Sequence, residues 1–165
     1  MKKLNNYISN EKISSLDNYI NEKLKINKLS KIQYNYYPKN LDELRKILKE
    51  RLAKDKNANL NDIDVSKITN MSRLFQDLDP HNINISDWDV SNVENMYCMF
   101  SWCGNFDSDL SDWDVSNVEI MNGMFYKCTK FTGEGLENWK VSKDTGKYDM
   151  FGDCPSLKNK PSWYK

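Results

Sequence analysis

Asp87-Trp88-Asp89-Val90-Ser91-Asn92-Val93-Glu94-Asn95-Met96, followed by Met99-Phe100 and Cys103, returns 25 residues later as Asp112-Trp113-Asp114-Val115-Ser116-Asn117-Val118, then Met121, Met124-Phe125 and Cys128. One period upstream stands Asp62-Ile63-Asp64-Val65-Ser66-Lys67-Ile68-Thr69-Asn70-Met71 with Leu74-Phe75, Ile63 taking the place of the Trp. Downstream, Asn138-Trp139-Lys140-Val141-Ser142, Met150-Phe151 and Cys154 repeat at an offset of 26, with Lys147 where a Met would fall. Four copies of one unit therefore run from about Asn61 to the C-terminus, the last one degenerate, as terminal repeats often are.

A unit this short cannot enclose a core alone, so its apolar positions must stack on the next copy, rung on rung. Val93 and Met96, with Val118 and Met121, suit a short strand at the start of each rung. Met99-Phe100 and Met124-Phe125 suit a following helical or 3₁₀ turn, and the Trp, Cys and Phe106/Phe131 positions fill the interior.

The pattern Trp-Asp-Val-Ser-Asn-Val-x-x-Met-x-x-Met-Phe-x-x-Cys resembles the BspA-like leucine-rich repeat family, also seen as a mycoplasma-type repeat domain of unknown function. The likeness covers roughly residues 60 to 157, and the segment Tyr37-Pro38-Lys39 with Leu41-Asp42-Glu43-Leu44 looks like the lead-in helix of such arrays. It implies a leucine-rich-type solenoid used for adhesion or other protein binding, with no family-wide catalytic residues. The expected fold class is thus an α+β repeat protein: a short solenoid of about four 25-residue rungs behind an N-terminal helical cap.

Asn40-Leu41-Asp42-Glu43 has the spacing of a capping box, with Asn40 as N-cap. Leu41, Leu44, Leu48 and Leu52 with Ile47 form one apolar stripe through about Lys54, which predicts a helix covering the open end of the first rung. Ile32, Tyr34 and Tyr36 alternate with polar residues as a half-buried strand would, and Pro38 stops it. Ile13, Leu16, Ile20 and Leu24 predict an amphipathic helix over 12–28. The resulting division is an extension at 1–38, a helical cap at 39–60 and the repeats at 61–165.

The formal net charge of zero hides a split: residues 1–58 carry 14 Lys/Arg against 7 Asp/Glu, residues 59–165 carry 10 against 17. Within 62–119 there are 12 acidic side chains against Lys67 and Arg73, a net of −10, so a partner of the early repeats is expected to be basic. The N-terminus has no apolar signal core, and no apolar run reaches the roughly 20 residues that a spanning helix needs. The expectation is a cytoplasmic chain without membrane segments, although many members of the resembling family are surface proteins.

Cys103, Cys128 and Cys154 share one repeat position and give one thiol per rung, not converging tetrahedral ligands, so they read as small core residues and not a zinc site. Asp62, Asp64, Asp87, Asp89, Asp112 and Asp114 lack the Gly-rich turns of calcium-binding β-solenoids and read as Asx turns. His81, the only histidine, has no nucleophile signature beside it, and there is no P-loop, dinucleotide fingerprint or H-E-x-x-H. No enzyme, cofactor or metal is expected.

Residues that vary between copies are not dictated by the fold. Tyr97 and Tyr148 share one such position, Tyr126 holds another and Trp102 a third, while Glu94 and Glu119 share an exposed one. Each aromatic either lies flat on its own rung or serves as a binding anchor, since Tyr and Trp bury large area at low entropic cost. The expected function is a non-enzymatic protein-binding module that holds a basic partner protein on this acidic, aromatic-bearing face. The alternative is a small cytosolic phage or mobile-element inhibitor occupying the basic nucleic-acid groove of a target enzyme. Direct nucleic-acid binding through the basic N-terminal region is disfavoured, because its lysines lack interleaved stacking aromatics.

Overall fold

The computed structural model describes residues 19–20 and 33–165. The chain divides into two units, Met1–Gln33 and Tyr34–Lys165. Tyr19 and Ile20 are helical and exposed; the rest of the helix expected over 12–28, and Ile32 of the expected strand, lie outside the described residues. All four repeats lie in the second unit.

The backbone of that second unit is governed by two left-handed residues per repeat, four positions apart: Arg73 and Asp77 (φ 53° and 64°), Cys98 and Trp102 (52° and 67°), Gly123 and Lys127 (62° and 61°), Asp149 and Asp153 (53° and 54°). Between them the amides alternate. The N–H groups of Met99, Ser101 and Cys103 donate to carbonyls three residues back in their own repeat, at 3.2, 3.1 and 3.0 Å. Those of Cys98, Phe100 and Trp102 donate to Asn122, Met124 and Tyr126 of the next repeat, at 3.0, 2.9 and 2.8 Å. The following copy does the same, with Gly123, Phe125 and Lys127 donating to Tyr148, Met150 and Gly152. Half of these amides close turns, and the other half join repeat to repeat.

This overturns the expected α+β solenoid of strand-bearing, leucine-rich-type rungs. From residue 33 onward the chain has one α-helix, α1 (Leu41–Lys54), and a 3₁₀ turn at Leu136–Asn138. Among the described residues β pairing is confined to isolated parallel bridges, Tyr36 to Ile63, Asn59 to Asn84, Asn70 to Asn95, Asn95 to Ile120 and Ile120 to Gly146, with no sheet. A strand needs consecutive residues in the β region, and a left-handed residue ends it. The predicted strand shrinks to a single bridging residue per copy, and the predicted helical turn becomes a run of overlapping β-turns.

Side chains at equivalent positions still fall into buried columns. Phe75, Phe100, Phe125 and Phe151 stack at 4.9, 5.6 and 5.7 Å between ring centroids. Trp88, Trp113, Trp139 and Trp163 stack at 6.4, 6.4 and 6.1 Å. Each indole N–H donates to a carbonyl of the preceding copy, Leu60, Ile85, Leu110 and Leu136 in turn, so the buried donor is satisfied. Trp163 carries this column past the fourth repeat, and Tyr164 packs edge-on against Phe151 at 5.0 Å.

The aspartates close Asx turns. Asp64 and Asp89 each accept from the backbone N–H and hydroxyl of Ser66 and Ser91, and Asp114 accepts from the Ser116 N–H. Asn92 and Asn117 reach across to the carbonyls of Ser66 and Ser91 in the copy before.

At the N-terminal end α1 begins as its sequence dictates. The Glu43 N–H donates to Asn40 Oδ1 at 3.0 Å, and the Glu43 carboxylate accepts from the Lys39 N–H. Leu44, Leu48 and Leu52 are buried against the first repeat, and Arg51 pairs with Asp62 at 3.0 Å. Arg45 has a more specific part. Its guanidinium donates to the carbonyls of Leu74 and Gln76, at 3.3 and 3.1 Å, and also to that of Arg73. Met99 and Tyr126, the counterparts of Leu74 and Gln76 one and two repeats on, accept amides from the preceding copy instead. One side chain thus substitutes for a missing repeat and closes the edge. No described helix is long and apolar enough to cross a membrane.

Replacing Arg45 with Met keeps the stem and removes the donors, so it should destabilise the fold by about 2 kcal/mol, since carbonyls lose charge-assisted partners. The neighbouring exposed Lys46→Met change should cost less than about 0.5 kcal/mol. Urea unfolding of the two variants measures the difference.

Candidate binding surface

The turn run exposes one strip of side chains per repeat, because residues between the buried Met, Phe and Cys positions point outward. Its border is the bridging column. The Glu94 N–H donates to Thr69, the Glu119 N–H to Glu94 and the Gly146 N–H to Glu119, all at 2.8 Å, so both glutamates lie in one exposed row. Two to three residues further along comes Tyr97 in the second copy and Tyr148 in the fourth, and beyond them the second left-handed position.

That second position forms the column Asp77, Trp102, Lys127 and Asp153. Trp102 is 68% exposed. The ammonium of Lys127, one repeat on, lies 3.7 Å from the centre of its ring, a close cation–π contact, and Tyr126 meets the same ring edge-on at 6.3 Å. Arg73 sits over the ring of Tyr97 at 5.3 Å, and its backbone N–H donates to the Tyr97 carbonyl. Tyr148 is the most exposed aromatic among the described residues, at 84%, and makes none of these ring contacts; its backbone N–H donates to Asn122 Oδ1 at 2.7 Å. The structure therefore brings Trp102 and Tyr126 together, places Tyr97 under a cation, and leaves Tyr148 projecting by itself.

Between the first two repeats, on the side of Trp102 away from Lys127's repeat, a cleft of about 530 Å³ is lined by Arg73, Gln76, Asp77, Cys98, Ser101 and Trp102. The cations on these aromatics were not expected from the sequence, although the period held the signal: Lys127 stands 25 residues after Trp102.

Residues 42–164 match the family described as Mycoplasma protein of unknown function, DUF285. The chain belongs to that family. No curated protein and no solved structure matches it. The match begins inside α1 and ends at Tyr164, so in this DUF285 chain the capping helix and the last aromatics belong to the family unit together with the repeats.

The other candidate groups have structural partners. The thiols of Cys128 and Cys154 donate to the carbonyls of Phe100 and Phe125 at 3.0 and 2.9 Å, and that of Cys103 points at Phe75 at 3.7 Å. Burial pushes the Cys103 thiol up to about 12 and also raises Cys128 and Cys154. His81 lies in a loop, its Nε2 3.6 Å from the exposed Asp79 carboxylate. Among the described residues no group of three or more His, Cys, Asp or Glu is arranged to hold a metal.

Ellman's reagent at mildly alkaline pH should react with Cys98 alone in the native DUF285 chain and with all four cysteines in denaturant, because Cys98 is half-buried whereas Cys103, Cys128 and Cys154 are buried. Trp102→Asn should shift stability by less than about 1 kcal/mol, since relief of the left-handed backbone offsets lost ring contacts, whereas Trp113→Ala should cost about 3–5 kcal/mol. Denaturant titration compares the two.

Proposed function

We propose that the chain is a non-enzymatic protein-binding module. It holds a partner protein with a basic surface against the strip formed by Glu94, Tyr97, Trp102, Glu119, Tyr126 and Tyr148. The observation that carries this reading is Trp102: a bulky residue, 68% exposed, at φ 67°. The left-handed region costs an L-residue about 1–2 kcal/mol, less for Asp or Asn, whose short polar side chains compensate locally. Asp stands at the equivalent positions 77 and 153. Beyond its contacts with Lys127 and Tyr126 a large indole there buries little in the fold, so its main use lies outside the chain.

The net charge of −10 over residues 62–119 favours a basic partner and speeds its approach. The likeness of the repeat to BspA-like arrays, which serve adhesion and other protein binding, supports the same reading. The negative field also suits the second reading, occupation of a basic nucleic-acid groove on a target enzyme. The identity of the captured protein separates the two.

Capture from host lysate on the immobilised chain, followed by surface plasmon resonance at rising ionic strength, tests the proposal. Association should slow with salt, as the Debye length shortens to about 8 Å at physiological ionic strength. Glu94→Lys and Glu119→Lys should lower the on-rate, while Trp102→Asn should raise the off-rate by an amount worth about 2 kcal/mol. Salt-independent association together with unaffected variants would overturn the reading.

A further inference from the structure

We propose that the cleft between the first two repeats takes an arginine side chain of the partner, its guanidinium stacked on Trp102 and paired with Asp77. The inference rests on reading the strip as a protein-binding face, and it names the chemistry that this face recognises.

The column Asp77, Trp102, Lys127, Asp153 presents one side chain per repeat from equivalent left-handed backbone positions. On the side of the following repeat, Trp102 already carries a cation, the Lys127 ammonium at 3.7 Å. Toward the preceding repeat it borders the open cleft of about 530 Å³, whose wall on that side is Gln76 and Asp77. An aromatic ring has two equivalent negative faces, so the chemistry that holds Lys127 on one side is offered on the other. Among the described residues no cation lies within ion-pairing distance of Asp77.

Arg73, the cation that also lines the cleft, does not fill this role, because its guanidinium sits over Tyr97 at 5.3 Å. Residues 62–119, which supply all six lining residues of the cleft, carry a net charge of −10 and so favour a basic ligand over an acidic one. Arginine fits better than lysine. Its planar guanidinium stacks on an indole and presents a fork of donors to a carboxylate at the same time, and Gln76 and Ser101 line the same cleft as further polar partners.

The test is a titration of the ¹⁵N-labelled full chain with a capped tetra-arginine peptide, and with tetra-lysine and tetra-glutamate of the same length. The Trp102 indole resonance is identified by its loss in Trp102→Phe. A saturable shift of that resonance with tetra-arginine is expected, weaker with tetra-lysine and absent with tetra-glutamate. Asp77→Asn, which the left-handed backbone accepts, should weaken tetra-arginine about threefold to fivefold, as loss of one exposed charge pair implies. No saturable shift with tetra-arginine, an equal one with tetra-glutamate, or unchanged affinity in Asp77→Asn would overturn the proposal. The captured partner gives an independent arm. If Trp102→Asn weakens it and Asp77→Asn does not, the arginine cleft is wrong while the protein-binding strip stands; if neither variant weakens it, both fail.

Discussion

Everything in the repeat region depends on how its backbone amides are shared. In the first three copies, alternate N–H groups either close a turn three residues back or cross to a carbonyl 24 or 25 residues ahead. Buried amides cannot go unpaired without losing roughly the worth of a hydrogen bond each, so this division is a full account and not an ornament. Keeping it in register requires left-handed backbone at two places per repeat, and those two places recur through all four copies. The flat-ringed columns follow from that register, because equivalent residues are carried into line and the phenylalanine and tryptophan rings meet their own kind within 6.4 Å.

A stack held by shared amides has an unsatisfied edge wherever it stops. At the N-terminal end the answer is cationic: Arg45 feeds donors to the carbonyls that an earlier copy would have served. At the other end the aromatic columns are covered, with Trp163 continuing the indole column and Tyr164 set edge-on against Phe151. The family match begins inside the helix that bears Arg45 and ends at Tyr164, which fits a unit defined by its two closures as well as by its repeats.

The same register separates what is structural from what is spare. Asp64, Asp89 and Asp114 are consumed by the serine turns that follow them, and the thiols of Cys128 and Cys154 by carbonyls of the copy before. Trp102, Lys127, Tyr97 and Tyr148 are not consumed in this way. They sit where the backbone dictates conformation but leaves side-chain identity open, and on that footing the exposed aromatic strip differs from the buried aromatic columns although both repeat with one period.

The sequence by itself determined the period, the membership of the buried columns and the capping helix. Hydrophobic recurrence reports which side chains face inward, and the N-cap and leucine stripe of α1 act over three or four residues. It did not determine the backbone class. A strand, a 3₁₀ turn and a left-handed turn run can bury the same Val, Met and Phe positions, so the expected α+β solenoid was compatible with every apolar residue and still wrong. The sign of φ at Cys98, Trp102 or Lys127 is set by hydrogen bonds to carbonyls 24 or 25 residues away, and only the tertiary structure supplies those partners. The same holds for the site: Tyr97 and Trp102 were visible as aromatics outside the pattern, but the placement of Arg73 on one, Lys127 on the other and an open cleft beside Asp77 arises from copies brought into contact across the stack.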